Sequence, residues 1–157
     1  VRESIFNIIG GIITESVFID LYAGTGAVGI EAISRGAGKV FFVEADRKRA
    51  ESIEKTLNDC GCSSRAEVMK GNVSDFIRRS LDERLKADII FLDPPYYSEE
   101  LDKSLFLLAD GEMLSEEGIV IAEHLSKKKL PAEIGRLRQK KAYKYGDTVL
   151  TLFRKEQ

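Results

Sequence analysis

The sequence predicts an α/β fold: a mostly parallel sheet of seven strands, helices on both faces, and an antiparallel hairpin at the C-terminal end. Three observations carry this reading. Short, wholly apolar runs such as Val40-Phe41-Phe42-Val43 and Ile119-Val120-Ile121 suit strands buried on both faces. Amphipathic stretches separate those runs, so strand and helix alternate through five strands. After Pro131 the alternation stops, and two strand-like segments flank Gly146-Asp147.

The elements follow in order. Arg2 to Ile13 places Ile5, Phe6, Ile8, Ile9 and Ile12 close to a helical stripe, weakened at its end by Gly10-Gly11. Val17 to Tyr22 is a short buried strand, Gly24-Thr25-Gly26 turns the chain, and Ala27 to Arg35 is a helix stopped by Gly36. Lys39 to Val43 is the second strand. Asp46 caps a long helix with Ala50, Ile53 and Leu57 on one face, closing near Gly61. Ala66 to Met69 is the third strand; Gly71-Asn72 and a helix from Ser74 to Arg84 follow. The fourth strand, opening with Ala87-Asp88-Ile89-Ile90, ends in Phe91-Leu92-Asp93-Pro94-Pro95-Tyr96. Leu101 to Ala109 is a helix, Gly118 to Ala122 the fifth strand, and Lys140 to Lys144 with Thr148 to Phe153 the hairpin. Right-handed crossovers make such a sheet doubly wound and put ligands at the carboxyl ends of its strands.

The 157 residues are expected to form one domain, residues 1–157, large enough to bury roughly 70% of the unfolded surface. The apolar fraction of 43% and charged fraction of 32% are those of an ordinary globular protein. No apolar run approaches the roughly 20 residues a membrane helix needs, so a cytoplasmic monomer without a membrane partner is expected. Cys60 and Cys62 stand without a second pair and are expected to be reduced thiols. His124, alone of its kind, is expected to be structural. A net charge of −2 does not announce a nucleic-acid binder. Yet Lys127, Lys128, Lys129, Arg136, Arg138, Lys140 and Lys141 crowd one late stretch with Glu133 opposing them. That stretch is either a solvated loop and edge strand or a phosphate-contacting face.

Gly24-Thr25-Gly26-Ala27-Val28-Gly29 is a Gly-x-Gly-x-x-Gly between a strand and a helix, where glycine permits a tight turn and close approach to bare backbone. Glu44 ends the second strand and is placed to accept both hydroxyls of a ribose. Asp20, ahead of the glycines, would repel a pyrophosphate and attract the ammonium of a methionine moiety. That favours S-adenosylmethionine over NAD, the alternative for Asp20 being a capping or turn acid. Asn72, with the Val73 backbone beside it, is placed to meet adenine; taken alone, Asn72 is more simply a helix cap.

The Asp-Pro-Pro-Tyr stretch suits a flat base with an exocyclic amine. Such an amine is a poor nucleophile because its lone pair is delocalised into the ring. Accepting its N–H protons at the Asp93 side chain and the Pro94 carbonyl directs the lone pair outward, and Pro95 holds Pro94 extended so that its carbonyl is aimed. Tyr96 offers a face on which a withdrawn base stacks. The bland alternative is a stiff strand-to-loop turn. Against it stands co-location: the ends of the first and fourth strands would put a methyl donor and an amine pocket side by side.

Asp20-Leu21-Tyr22-Ala23-Gly24-Thr25-Gly26, Glu44 and Asp93-Pro94-Pro95-Tyr96 resemble the Class I, Rossmann-like, S-adenosylmethionine-dependent amino-methyltransferases. More narrowly, Val1-Arg2-Glu3-Ser4-Ile5-Phe6-Asn7 and Gly29-Ile30-Glu31-Ala32-Ile33-Ser34-Arg35-Gly36-Ala37 resemble the RsmD-like family, over most of the chain. That resemblance implies methylation of the exocyclic N2 of a guanine in bacterial 16S, small-subunit ribosomal RNA within a pre-30S particle, leaving S-adenosylhomocysteine and needing no metal. It implies that Phe6 and Asn7 wall the cofactor pocket, that Asp20, Tyr22, Ala23, Gly24 and Gly26 hold the methionine part, and that Glu44 and Ala45 meet the ribose. Asn72 and Val73 would face adenine, and Asp93, Pro94, Pro95 and Tyr96 the guanine amine. It also implies a basic segment, with an Arg-Pro-Thr stretch, ahead of the Arg2-Glu3 helix. Cofactor binding would persist without that segment, while RNA affinity would fall.

Three other readings compete. A DNA adenine-N6 methyltransferase shares the Asp-Pro-Pro-Tyr pocket but usually carries an added target-recognition domain. A non-catalytic ribosome assembly factor retaining the fold predicts a degraded cofactor loop, whereas Gly24, Gly26, Glu44 and Asp93 are all present. An NAD-dependent oxidoreductase leaves Asp-Pro-Pro-Tyr without a role.

Overall fold

Successive residues of a strand point to opposite faces, and here both faces are apolar. Phe18, Ile89, Phe91, Ile119 and Ile121 enter one core with Ile5, Phe6, Ile9, Ile33, Ile53 and Leu57. Their neighbours Ile19, Ile90, Leu92, Val120 and Ala122 enter the other with Phe76, Ile77, Leu101, Leu105 and Leu108. The computed structural model describes residues 1–156. Its strands are β1 (Val17–Asp20), β2 (Lys39–Glu44), β3 (Ala66–Lys70), β4 (Ala87–Leu92), β5 (Leu114–Leu125), β6 (Glu133–Ile134), β7 (Leu137–Tyr145) and β8 (Thr148–Lys155). Helices α1 (Arg2–Ile9), α2 (Ala27–Ser34) and α3 (Arg47–Asp59) cover the first face, α4 (Val73–Asp82) and α5 (Glu100–Leu108) the second.

The sheet order is β3-β2-β1-β4-β5-β8-β7-β6. β1 to β5 pair in parallel, and β8, β7 and β6 continue antiparallel. This is the doubly wound α/β sheet with a C-terminal hairpin that the alternation of elements predicts.

An eighth strand extends the seven expected. β6 is two residues at the edge, joined to Leu137 through Gly135 at φ 57°, and so short a strand leaves no pattern in the sequence. β5 is twelve residues, well beyond Gly118 to Ala122. Its first part, Leu114 to Glu117, carries polar side chains that hide the strand signal, although Leu114 pairs with Ala87. The first helix breaks at Gly10 (φ 59°) and ends as a 3-10 turn, Gly10–Ile13.

The cysteines depart from expectation. Cys60 and Cys62 are joined as a disulfide rather than held as two thiols. Gly61, at φ 73°, folds the chain back at the end of α3 and brings their Cα atoms to 5.5 Å, within the usual range for such a bridge. His124 is structural, as expected. It is buried in β5, with Nδ1 3.0 Å from the Leu125 carbonyl and Nε2 2.7 Å from Thr151 Oγ1 on β8.

Candidate active site

β1 has β2 on one side and β4 on the other, so the loops leaving their carboxyl ends part and open a cleft. The cleft holds about 720 Å³, within the range of small-molecule and cofactor sites. Tyr22 and Gly24 line it after β1, Glu44 and Ala45 after β2, Asn72 and Val73 after β3, and Asp93 to Tyr96 after β4.

The glycine loop is shaped by contacts that bare backbone allows. Gly24 (φ 58°) and Gly26 (φ 84°) both lie in the left-handed region. A Cβ on Gly26 would come within 3.0 Å of Ile53, and one on Gly29 would overlap the Phe42 ring, so α2 seats directly against its neighbours. Glu44 ties the loop to β2: its Oε1 accepts from Gly24 N at 2.7 Å and its Oε2 from Asp46 N at 2.8 Å. Both oxygens are thus fixed in orientation, and each keeps a further lone pair for a hydroxyl.

Asp20 sits at the end of β1, 1% exposed, and its Oδ1 has no hydrogen-bond partner among the described residues. Burial, and after it the nearby Asp93 charge, push its carboxyl up to about 7. Hydrogen bonds from the Gly29 and Tyr22 backbone oppose that rise, and Asp20 itself stands behind the residues that line the cleft. Asp93 is half-buried, and burial raises it to about 6. Pro94 is buried, and the Ser98 hydroxyl donates to the Pro95 carbonyl at 2.7 Å, which fixes the turn that follows. Tyr96 is 42% exposed, open enough to receive a flat ring. The Tyr22 hydroxyl lies 2.6 Å from Ser104 Oγ and 3.2 Å from Glu100 Oε2 on α5, and burial pushes it up to about 12.

Several expected residues stand apart from the cleft wall. Ala23 and Gly26 lie behind it, where Gly26 N donates to the Ala23 carbonyl at 2.8 Å and Ala23 N to that of Val43 at 2.9 Å. Phe6 is a core residue, its ring 6.3 Å from Phe18 with the Arg35 guanidinium 4.9 Å above it. Asn7 is exposed and does not line the cleft. Asn72 does line it, but its side chain caps α4: Oδ1 accepts from Asp75 N at 2.8 Å and Nδ2 donates to Asp75 Oδ2 at 3.0 Å. Both ends of the amide are engaged, which leaves the Val73 main chain as the group offered to a base edge.

Arg49, Glu100 and Glu123 escaped the sequence reading. Arg49 follows the Asp46 cap by one helical turn, Glu100 opens α5, and both line the cleft. Glu123 lies one position beyond the apolar run of the strand beside Asp93, a signal of the same kind as Asp93 itself.

The basic stretch is divided. Lys127 and Lys128 border a second cavity beside Tyr96 and Tyr97, where Lys128 also bonds Asp102 at 2.9 Å. Arg138 is paired with Glu133 (2.9 Å) and Glu156 (2.8 Å), and Arg136 donates to the Glu156 carbonyl. That far edge is held by its own acids.

Residues 1–154 match a family described as "Conserved hypothetical protein 95". The chain belongs to this RsmD-like family. It is 34% identical over 155 residues to YlbH of Bacillus subtilis, provisionally named an rRNA methyltransferase, covering 99% of this chain and 84% of that one. It is 34% identical over 124 residues to ribosomal RNA small subunit methyltransferase D of Haemophilus influenzae, covering 78% of this chain and 64% of the relative. Among solved structures, yhhF of Escherichia coli, provisionally named a methyltransferase, superposes with a TM-score of 0.87 at 28% identity, over 99% of this chain and 84% of that one. Among the described residues no helix is long and apolar enough to cross a membrane.

Proposed function

We propose that this protein transfers a methyl group from S-adenosylmethionine to the exocyclic N2 of a guanine in small-subunit ribosomal RNA. The observation that carries the reading is Asp93-Pro94-Pro95-Tyr96 opening onto the same cleft as Gly24 and Glu44. The names of the Bacillus and Haemophilus relatives favour ribosomal RNA over DNA as the acceptor.

The cleft fits this cofactor by its own chemistry. Asp20, buried next to the cleft-lining Leu21 and with one oxygen unpaired, would attract an amino-acid ammonium through space or through a bridging water. The same charge opposes a pyrophosphate, which argues against a dinucleotide. Glu44 presents oriented oxygens to ribose hydroxyls, and Val73 lies where adenine would rest.

When bound, S-adenosylmethionine supplies an electrophilic methyl on a sulfonium. The rest of the work falls to residues after β4. The Asp93 carboxylate and the Pro94 carbonyl accept the two N–H groups of the amine and direct its lone pair toward the cofactor side of the cleft. Tyr96 stacks on the withdrawn base, replacing the neighbours it leaves. Asp93 takes the proton that the methylated nitrogen gives up, or passes it to water. Raised to about 6, it is ionised at neutral pH yet close enough to it to accept a proton.

Incubation with methyl-labelled S-adenosylmethionine and, separately, naked small-subunit RNA, 30S particles lacking their own methyl groups, and duplex DNA tests the reading. Label is expected as N2-methylguanine in RNA or particles. Label confined to DNA, or to adenine, refutes it.

A further inference from the structure

We propose that Glu123 selects the base: its carboxylate accepts the N1–H of guanine while Asp93 and Pro94 hold the adjacent N2 amine. This rests on the preceding reading of the site. β4 and β5 are parallel neighbours in which Leu92 pairs with Ala122, so Asp93, just past the end of β4, stands beside Glu123, which is still within β5. Glu123 borders a second cavity of about 210 Å³ with Pro94, Pro95, Tyr96 and Tyr97. That cavity meets the larger cleft at Pro94 to Tyr96, the point at which a stacked base would sit.

The Tyr96 hydroxyl donates to Glu123 Oε2 across a long 3.5 Å contact, so one carboxylate oxygen is turned toward the stacking ring. Burial first, and then the Asp93 charge, push Glu123 up to about 7, with the hydrogen bond from Tyr96 pulling the other way. Asp93 lines the larger cleft and Glu123 the smaller cavity, which Lys127 and Lys128 also border, so a base at their junction meets both acids with donors. The Watson–Crick edge of guanine supplies them in the required order, N1–H beside N2–H. Adenine N1 and cytosine N3 carry lone pairs at the corresponding place, which the carboxylate opposes once it is ionised, above about pH 7. The Asp-Pro-Pro-Tyr stretch accepts any exocyclic amine, so discrimination needs a group beside it. Glu123 is that group.

2-Aminopurine separates the two interactions, because it keeps the exocyclic amine and lacks the N1–H. Once the labelled guanine has been located, a synthetic RNA carrying guanine or 2-aminopurine there is reconstituted into particles. Wild type and Glu123→Ala are then compared on both. The wild-type preference for guanine in kcat/KM is expected to fall about 10–100-fold in the variant, the size of one hydrogen bond to a charged group. Most of the loss should appear on guanine, with 2-aminopurine little changed. The missing O6 of 2-aminopurine affects both enzymes alike and cancels in the ratio.

Glu123→Gln conserves volume and guards against misfolding. Its amide N–H can donate to N1 of 2-aminopurine, so its guanine preference should fall as well. Equal losses on both bases would make Glu123 structural and overturn the proposal. Should wild type label guanine and both variants keep its preference, the assignment of Glu123 fails while the methyltransferase reading stands. Absence of any label on guanine with wild type overturns both.

Discussion

In an Asp20→Asn variant the buried carboxylate at the end of β1 becomes a neutral amide of nearly the same shape. Burial and the Asp93 charge lift Asp20 from 3.8 to about 7. A carboxyl whose folded pKa lies above its unfolded one holds its proton more tightly when folded. Stability therefore falls as pH rises between those two values, and the full penalty stands above the higher one. Within that window each step of one in pH costs about 1.4 kcal/mol, so between pH 5 and pH 8 this group alone should cost the wild type about 2–3 kcal/mol. An asparagine amide leaves its own polar atoms unpaired, but that cost does not change with pH. Urea unfolding of the cofactor-free proteins should therefore show the stability of the variant, relative to wild type, growing by about 2–3 kcal/mol from pH 5 to pH 8. Calorimetry should show the reverse for the ligand, with S-adenosylmethionine bound about 10–100-fold more weakly at pH 8. Wild-type affinity should rise with pH through about 7 as Asp20 ionises, and the variant should lack that rise. A stability difference that is the same at both pH values would refute the buried-charge account. Unchanged affinity would remove Asp20 from the ammonium site.

Asp93→Ala should lower methyl transfer on the order of 10²–10³ or more, with cofactor affinity by calorimetry largely kept; parallel losses would make Asp93 a cofactor or structural residue. The wild-type kcat/KM for RNA should rise with pH through about 6 as Asp93 ionises, and the residual activity of Asp93→Ala should lack that limb. Gly29→Ala drives a methyl into the Phe42 ring between α2 and β2, and thermal unfolding should report a loss of about 1–3 kcal/mol; an unchanged midpoint would mean that α2 moves away freely.

How much of this was legible depended on whether side chains or backbone carried the information. Val40-Phe41-Phe42-Val43 and Ile119-Val120-Ile121 announce strands because both of their faces are buried, and the order of elements then sets the doubly wound sheet. Ser115-Glu116-Glu117 fall at an irregularity of the β4–β5 ladder, between the pairing of Leu114 with Ala87 and that of Ile119 with Ile89, and their side chains give no sign of a strand. Glu133-Ile134 became a strand only because Gly135 returns the chain. The candidate site was legible where function needs a fixed local string, as in Gly24 to Gly29 and Asp93 to Tyr96. Asn72 was ambiguous because an amide that caps a helix and one that meets a base look alike in sequence; the structure uses both its ends on Asp75. Glu123 was missed because its one local sign, an acid after an apolar run, came without a flanking string such as the one that marks Asp93. Only the register of β4 and β5 places it beside Asp93.

That register gives the site a common electrostatic theme. Asp20 ends β1, Asp93 follows β4 and Glu123 lies near the carboxyl end of β5, three strands adjacent in the sheet, and burial raises all three. The Asp93 charge adds to the shift of the other two, so the acids oppose one another's ionisation. Asp20 Oδ1 has no partner among the described residues, and Glu123 accepts a long contact from Tyr96. Ligands that bring N–H groups relieve that opposition, and ligands that bring negative charge aggravate it. An amino-acid ammonium and the donor edge of guanine both belong to the first kind; a pyrophosphate and the N1 lone pair of adenine belong to the second. Under the proposed function, the mutual opposition of these three acids would favour both S-adenosylmethionine over a dinucleotide and guanine over adenine.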